Sequence, residues 1–475
     1  MSQLNDRMYD LTSFQEGILV YSEKNTVTTD YIMQNTMNIV GKVNYFYVKK
    51  SLELLAQKHE VLLTKIIYDE NYNPKQKIFK DSEIELDVID YSKIIKDEKE
   101  KRIQEILIQD QNRGFVLSRD LLFRAKLIIL EDNSSKLIFT YHHIILDSKS
   151  VMILCKEFVN FYRQLQNCET ISVEKVPNFS DYVNWVNNQS ISNQLEYWKS
   201  ALQDYNEVAE ITPILNNENY KNILKTSIIS LDDNEVQPLI KLSEKLQVPF
   251  ATILKTAWGK ILSLQCGTND VVFGDVISGR DINLKGIQEM VGVFIKTLPL
   301  RVTFNEFDSI DEVIIKTYQV EKENNQHSLC SLAEIQALTE LKKDIFRTIF
   351  VFEDYFETNL QCKECKDIEF FIDKNTRKTN YDISISTYFE KGKLMINLLY
   401  NSGKYSEEAI ECLLLQLKRI LIEMGKDSTQ AFAKIDYLGL EEKNTILNIF
   451  NKRITNINED DNIVSLFEGQ LSNCK

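Results

Sequence analysis

The chain has 475 residues, 43% of them hydrophobic, enough apolar material for two large globular units. Its formal net charge is −14 and it contains no Lys/Arg-rich block, so nucleic acid is not an expected partner. No apolar run approaches the ~20 residues that cross a bilayer, and the opening "MSQLNDRMYD" is not a signal peptide, so no membrane contact and a cytoplasmic location are expected.

The eight cysteines are scattered, which fits reduced thiols rather than a disulfide framework. The one tight pair, Cys362 and Cys365 in "QCKECK", has no second pair or nearby histidine, and no metal site is expected there.

In chain order, "VKKSLELLAQKHEVLL" from Val48 repeats apolar residues three and four apart and predicts a helix. "LLFRAKLIIL" from Leu121 and "KLIFTYH" from Lys136 predict strands, being rich in β-branched and aromatic residues. After Asp147 an apolar stripe of Val151, Leu154, Phe158, Phe161 and Leu165 predicts a helix, with Asp147, Ser148 and Ser150 where an N-cap belongs. The polar segment Asn167–Gln189, with Pro177, reads as the join between two units. Helices are predicted from Pro238, Ala251 and Ser406, and strands from Asp270, Leu298, Phe346 and Lys393. Interleaved helices and strands in both halves argue an α/β fold. Past Phe450 a polar loop leads to "IVSLFEGQLSNCK", a helical pattern that begins and stops, as expected of a piece of a longer polypeptide.

Two of only four histidines, His142 and His143, stand together at the end of one predicted strand, with Asp147 close behind. If Leu137–His143 is a strand, alternate side chains face opposite ways. His143 then shares a face with Leu137, Phe139 and Tyr141, and His142 shares the other with Ile138 and Thr140. The two rings cannot do the same job. One reading is a core histidine beside a capping aspartate. The other is a general base in a cleft with its geometry fixed by the aspartate. Spacing alone leaves both open.

The stretch "HHIILDS" resembles the HHxxxDG motif of condensation domains of nonribosomal peptide synthetases, within the chloramphenicol-acetyltransferase-like superfamily. Further motifs follow in the family's order. "LTSFQEGILVYSE" from Leu11 looks like the opening motif, and "KHEVLLT" (Lys58 to Thr64) resembles RHExLRT. "NFSDYVNWV" from Asn178 is similar to YxDFAxW. The block from Phe273 to Val302 resembles the one around GxFxNTLPxRV. "NNQHSLCSLAEIQ" from Asn325 and "FRTIFVFEDY" from Phe346 fit the later motifs. "IDYLGLEEKNTILNIFN" with "IVSLFEGQL" looks like a linker into an adenylation domain.

The resemblance implies two acetyltransferase-like lobes, 1–176 and 177–450, in a V-shaped pseudo-dimer with a tunnel between them, and a linker from 451 to 475. It implies peptide bond formation at the second histidine, His143, between substrates carried on phosphopantetheine arms of donor and acceptor carrier proteins. The domain itself needs no cofactor, is a monomer and adjoins an adenylation domain. His142 and Asp147 take supporting parts. Arg280 is the expected partner of Asp147, because a buried carboxylate needs one. Gly292 belongs to the supporting motif, and Ser13, Gln15, Phe294 and Lys296 are expected along the tunnel.

Three positions depart from the family pattern. Ser148 replaces the motif glycine; its side chain either narrows the tunnel or caps the helix. Leu63 replaces an arginine, and Lys296 an asparagine. An epimerisation domain and a non-catalytic platform for carriers or a tailoring enzyme are the competing readings.

Overall fold

The computed structural model describes residues 7–24, 29–131, 133–213, 223–342, 344–353, 359–360, 368–372, 381–450 and 464. Cys362, Cys365 and the expected linker from 451, apart from residue 464, lie outside the described residues.

The first half runs through β1 (Met8–Asp10), α1 (Ser13–Lys24), β2 (Ile32–Val40), α2 (Tyr45–Lys58), β3 (Thr64–Tyr68), β4 (Pro74–Ile78), β5 (Glu85–Asp90), α3 (Lys96–Arg113), β6 (Phe123–Glu131), β7 (Ser134–His142) and α4 (Ser148–Gln166). Two helices, α5 (Phe179–Asn187) and α6 (Ser192–Ala201), lead into the second half. There follow β8 (Leu224–Leu231), α7 (Asp233–Leu246), α8 (Phe250–Cys266), β9 (Asp270–Ile277), β10 (Lys296–Thr303), α9 (Ile310–Gln326), α10 (Leu332–Leu338), β11 (Thr348–Glu353), β12 (Asn359–Leu360), β13 (Glu369–Ile372), β14 (Ile383–Glu390), β15 (Lys393–Asn401) and α11 (Glu407–Lys426).

Each half builds a mixed sheet. The first has the order β12-β13-β2-β7-β6-β5 and the second β10-β9-β11-β14-β15-β8, while β1-β4-β3 forms a small separate sheet. In the first large sheet β7 lies between β2 and β6, antiparallel to both, with Ile32 opposite His142. A central strand loses side chains to the core on both faces, so "LIFTYH" is buried almost throughout. The stripe of α4 packs into this core through Val151, Leu154, Phe158 and Phe161. In the second half α7, α8 and α11 cover one face of the sheet, with Leu239, Trp258 and Leu417 in one continuous core.

The packing crosses the division expected at 176/177. Phe179, Tyr182 and Val183 of α5 and Ile287, Met290, Val293 and Phe294 of the β9–β10 connection belong to the first core. The chain also sends β13 into the first sheet, where Phe370 lies opposite Ile39 of β2. The two halves are interlocked rather than merely abutted.

Two helix ends differ from expectation for local reasons. The helix predicted from Val48 to Leu63 breaks at His59 and continues as a tight 3-10 turn, Glu60–Leu63. The His59 ring is engaged by Glu157 of α4 at 2.5 Å. α7 begins before Pro238 because Asp232 and Glu235 form a reciprocal capping box.

Strand β9 carries a buried carboxylate, Asp275. Asp275 and Glu321 both bond the ammonium of Lys255 at 2.7 Å, and Thr252 donates to Glu321. Burial, with Glu321 adding repulsion, pushes the Asp275 carboxyl up to about 6 from 3.8, against the pull of Lys255. An acid whose folded pKa is raised contributes stability below its unfolded value and loses it as pH rises through the folded value. The Tm of Asp275→Asn relative to that of wild type is therefore expected to shift upward as pH rises from about 4 to 8, because only wild type must ionise the buried carboxyl over that range. Thermal melts across that range check this; a Tm difference independent of pH would contradict it.

Candidate active site

The strand ends one residue earlier than the alternation argument assumed. β7 stops at His142, and His143 opens the turn that leads to α4. The two rings do diverge, but through this turn rather than through strand alternation.

His142 is 3% exposed, and its Nδ1 accepts from the Ile144 N–H at 3.2 Å. Burial, with His143 alongside, drops its pKa to about 3, so it is neutral at any working pH. His143 is only half-buried. Its N–H donates to the Tyr31 carbonyl at 2.8 Å, and its Nδ1 lies 2.8 Å from the Leu146 carbonyl. A carbonyl can only accept, so Nδ1 carries a proton, and in the neutral form of the ring the accepting nitrogen is Nε2. The sequence thus provides one sealed histidine and one accessible histidine with a fixed tautomer.

Asp147 holds the turn from behind. Its side chain is fully buried; Oδ1 accepts from the Ser150 N–H at 2.8 Å and Oδ2 from the Phe294 N–H at 2.9 Å. The first bond caps α4. The second ties the turn to the β9–β10 connection of the other half. Arg280 of that connection lies 3.6 Å from Oδ1 and is itself 1% exposed. Its guanidinium also donates to the Met290 carbonyl and to Ser150 Oγ, at 3.0 and 2.9 Å, and lies over the Phe294 ring.

Ser150 completes this clamp in a way the sequence reading did not foresee. Its hydroxyl donates to the Gly292 carbonyl at 2.7 Å and accepts from the Gly292 N–H at 3.0 Å. Gly292 also accepts from the Asp147 N–H at 3.1 Å. A Cβ at Gly292 would stand 2.1 Å from the Phe179 ring, so only glycine admits this close approach. The spacing of Asp147 and Ser150 offered Ser150 as a cap; nothing local could show that its hydroxyl reaches a residue far along the chain.

The turn is also braced from the N-terminal side. Gln15 Nε2 donates to the Ile144 carbonyl at 2.8 Å and to Gln76 Oε1 at 2.8 Å, and its Oε1 accepts from the Thr12 N–H at 2.9 Å. Gln15, expected along the tunnel, is completely buried and bonded into the loop. Phe294, also expected along the tunnel, is buried too. It is 1% exposed, wedged among Phe179, Tyr182 and Arg280.

Lys296 opens β10 half-buried, and its ammonium donates to the Ser328 carbonyl at 2.6 Å. Burial lowers its pKa to about 8. It therefore pins a neighbouring loop rather than standing in a solvated face. Ser148 does not cap α4, since Asp147 does; it is the exposed first helical residue. Ser13 is half-buried at the start of α1. Leu63 is 6% exposed, so packing occupies the position of the family's arginine.

The sequence reading missed Tyr31, whose ring stands 6.5 Å from that of His143 and 6.3 Å from that of His142. Tyr381, from the second half, stacks on Phe346. Burial and the nearby Tyr31 raise its phenol pKa. The β-rich, aromatic setting of both residues gave no sign of where they would point.

The family model described as Condensation domain matches residues 5–447. The chain belongs to the condensation-domain family. Bacitracin synthase 1 of Bacillus licheniformis is 29% identical over 472 residues, covering 98% of this chain and 9% of that protein. Gramicidin S synthase 2 of Brevibacillus brevis is 27% identical over 471 residues, covering 98% of this chain and 10% of that protein. The condensation domain thus spans no more than a tenth of these relatives' length.

Among solved structures, the first condensation domain of the calcium-dependent antibiotic synthetase, in complex with a substrate analogue, superposes with a TM-score of 0.75 at 17% identity. That match covers 91% of this chain and 99% of the other. A chain from the complex of the X-domain and OxyB from teicoplanin biosynthesis gives a TM-score of 0.75 at 16% identity, covering 92% and 97%. These likenesses establish the fold, the chloramphenicol-acetyltransferase-like α/β architecture of synthetase condensation domains.

Proposed function

We propose that this condensation domain joins a carrier-bound donor acyl or peptidyl thioester to the α-amine of a carrier-bound acceptor, with His143 as the group that handles the amine. The observation that carries this reading is the fixed tautomer of His143. With Nδ1 donating to the Leu146 carbonyl, the nitrogen of the neutral ring that can accept a proton is Nε2, on a half-buried side chain.

The chemistry asks for little more. A free α-amine has a pKa near ~7.7–8.0, so part of it is already neutral at pH 7. Its attack forms the C–N bond and puts positive charge on nitrogen. Nε2 accepts that proton or holds the amine in line. The C–S bond then breaks, the donor arm leaves as a thiol, and the lengthened chain remains on the acceptor arm. A neutral His142 behind it places no competing cation beside the developing ammonium. The donor and acceptor carriers and an adjoining adenylation domain are the partners this reading requires, with the arms entering a tunnel between the halves.

The test loads donor and acceptor carriers with distinct aminoacyl groups, mixes them with the domain and follows the species by intact-protein mass spectrometry. A dipeptidyl acceptor supports condensation. Inverted stereochemistry without coupling would make it an epimerisation domain. Carrier binding with neither product would leave a non-catalytic platform.

A further inference from the structure

His143 brings a problem of selection with it. The neutral imidazole that takes a proton from an attacking amine can also take one from water. Amine attack turns the donor thioester and the amine into an amide and a thiol. Water attack turns the same thioester into a carboxylic acid and the same thiol, and the donor chain is lost. A site that favours the amine needs bulk beside the base that leaves no room for water, rather than another charge.

Aromatic rings from both halves stand where such bulk is needed. Tyr31 immediately precedes β2, and its carbonyl accepts the His143 N–H at 2.8 Å. The centre of its ring lies 6.5 Å from that of His143 and 5.3 Å from that of Tyr21, which it meets edge to face. Tyr381 comes from the second half, two residues before β14. Its ring stacks on Phe346 at 5.7 Å. The next residue, Asp382, accepts from the Lys404 ammonium at 2.7 Å and, through its carbonyl, from the Asn401 N–H at 3.1 Å. Each tyrosine is partly buried at the margin of a different core, Tyr31 against that of the first half and Tyr381 against the cluster of Trp198, Leu298 and Phe346. The Tyr31 phenol is near enough to oppose ionisation of the Tyr381 phenol.

We infer, on the reading above that His143 serves amide formation, that Tyr31 and Tyr381 form an aromatic screen beside it that keeps water from the thioester and so sets the choice of nucleophile. Ring bulk carries the effect, with or without the hydroxyl. Tyr31 is joined to His143 through the backbone, whereas Tyr381 is placed by the second half. The screen is therefore complete only when the two halves are seated together.

The experiment uses the full chain with donor and acceptor carriers loaded in turn with aliphatic, aromatic, acidic and basic aminoacyl groups. Dipeptidyl acceptor and free donor acid are measured in the same single-turnover reaction, and donor loss without the domain is subtracted. The ratio of acid to amide is the readout, because an unfolded fraction makes neither product and leaves that ratio unchanged. Tyr31→Ala and Tyr381→Ala should each raise the ratio about tenfold. Tyr31→Phe and Tyr381→Phe should stay within a factor of about two of wild type, since the ring remains. Adding His143→Ala to either alanine variant should abolish the extra acid, because the same base activates the water. Alanine variants that keep the wild-type ratio, or extra acid that survives His143→Ala, would overturn the screen while leaving condensation standing. A wild-type chain that forms no amide from any loaded pair would overturn the condensation reading and the screen with it.

Discussion

His143→Ala is expected to lower the single-turnover rate of amide formation by about 10²–10⁴-fold while leaving the melting temperature close to that of wild type. The rate effect follows from what the ring alone supplies: a neutral Nε2 with its tautomer set by the Leu146 carbonyl. The mild stability effect follows from where the ring is. It is half-buried in a turn, and the turn keeps its other ties, the His143 N–H to Tyr31, Gln15 to Ile144 and Asp147 to Ser150 and Phe294. His142→Ala should behave in the opposite sense. It empties a sealed site and removes the acceptor of the Ile144 N–H, so it should cost stability first and rate as a consequence. Quench-flow with intact-mass detection gives the rates and differential scanning fluorimetry the melting points. A His143→Ala domain that turns over within a factor of about three of wild type would remove the side chain from the chemistry, whatever the fold.

Much of this was legible in the sequence, and the boundary of legibility has a physical cause. β15 was found at Lys393 because its alternation is clean and ends in Asn401-Ser-Gly. α11 was found at Ser406 because the cap and the apolar stripe agree. α3 was not, because its first seven residues, Lys96 to Arg102, are all charged, and Ile103 is among its few buried residues. The crossover strand β13 could not be seen at all, since four residues have no period of their own and their partner is the distant β2. In the site, the histidine pair and Asp147 were legible through the resemblance of "HHIILDS" to the family motif, and Arg280 as the partner that a buried carboxylate needs. The directions of Gln15 and Phe294 were not. Each is fixed by contacts with segments remote in sequence, Gln76 and Ile144 for one and Phe179, Tyr182 and Arg280 for the other.

The largest stability loss is expected at Asp147. Asp147→Ala should destabilise the domain by about 3–5 kcal/mol, because it takes a carboxylate away from a buried guanidinium. Arg280 is 1% exposed and cannot turn to water, and the Ile287 and Met290 carbonyls and Ser150 Oγ that it also bonds are neutral. The change also removes the cap of α4 and the acceptor of the Phe294 N–H. Arg280→Met should cost less. The carboxylate it abandons still accepts two backbone N–H bonds, at 2.8 and 2.9 Å, which stabilise a buried negative charge. The double variant Asp147→Ala/Arg280→Met should be more stable than Asp147→Ala alone, since it removes the buried guanidinium along with the carboxylate. Activity should not return with that stability. The clamp sets the path of the chain from Leu146 to Ser150, and Leu146 supplies the carbonyl that orients His143. Urea unfolding midpoints of the four proteins, at constant m-value, give the coupling energy directly. A coupling near zero would mean that Asp147 and Arg280 act independently, and that the two halves are held at this point by the Ser150–Gly292 bonds and packing alone.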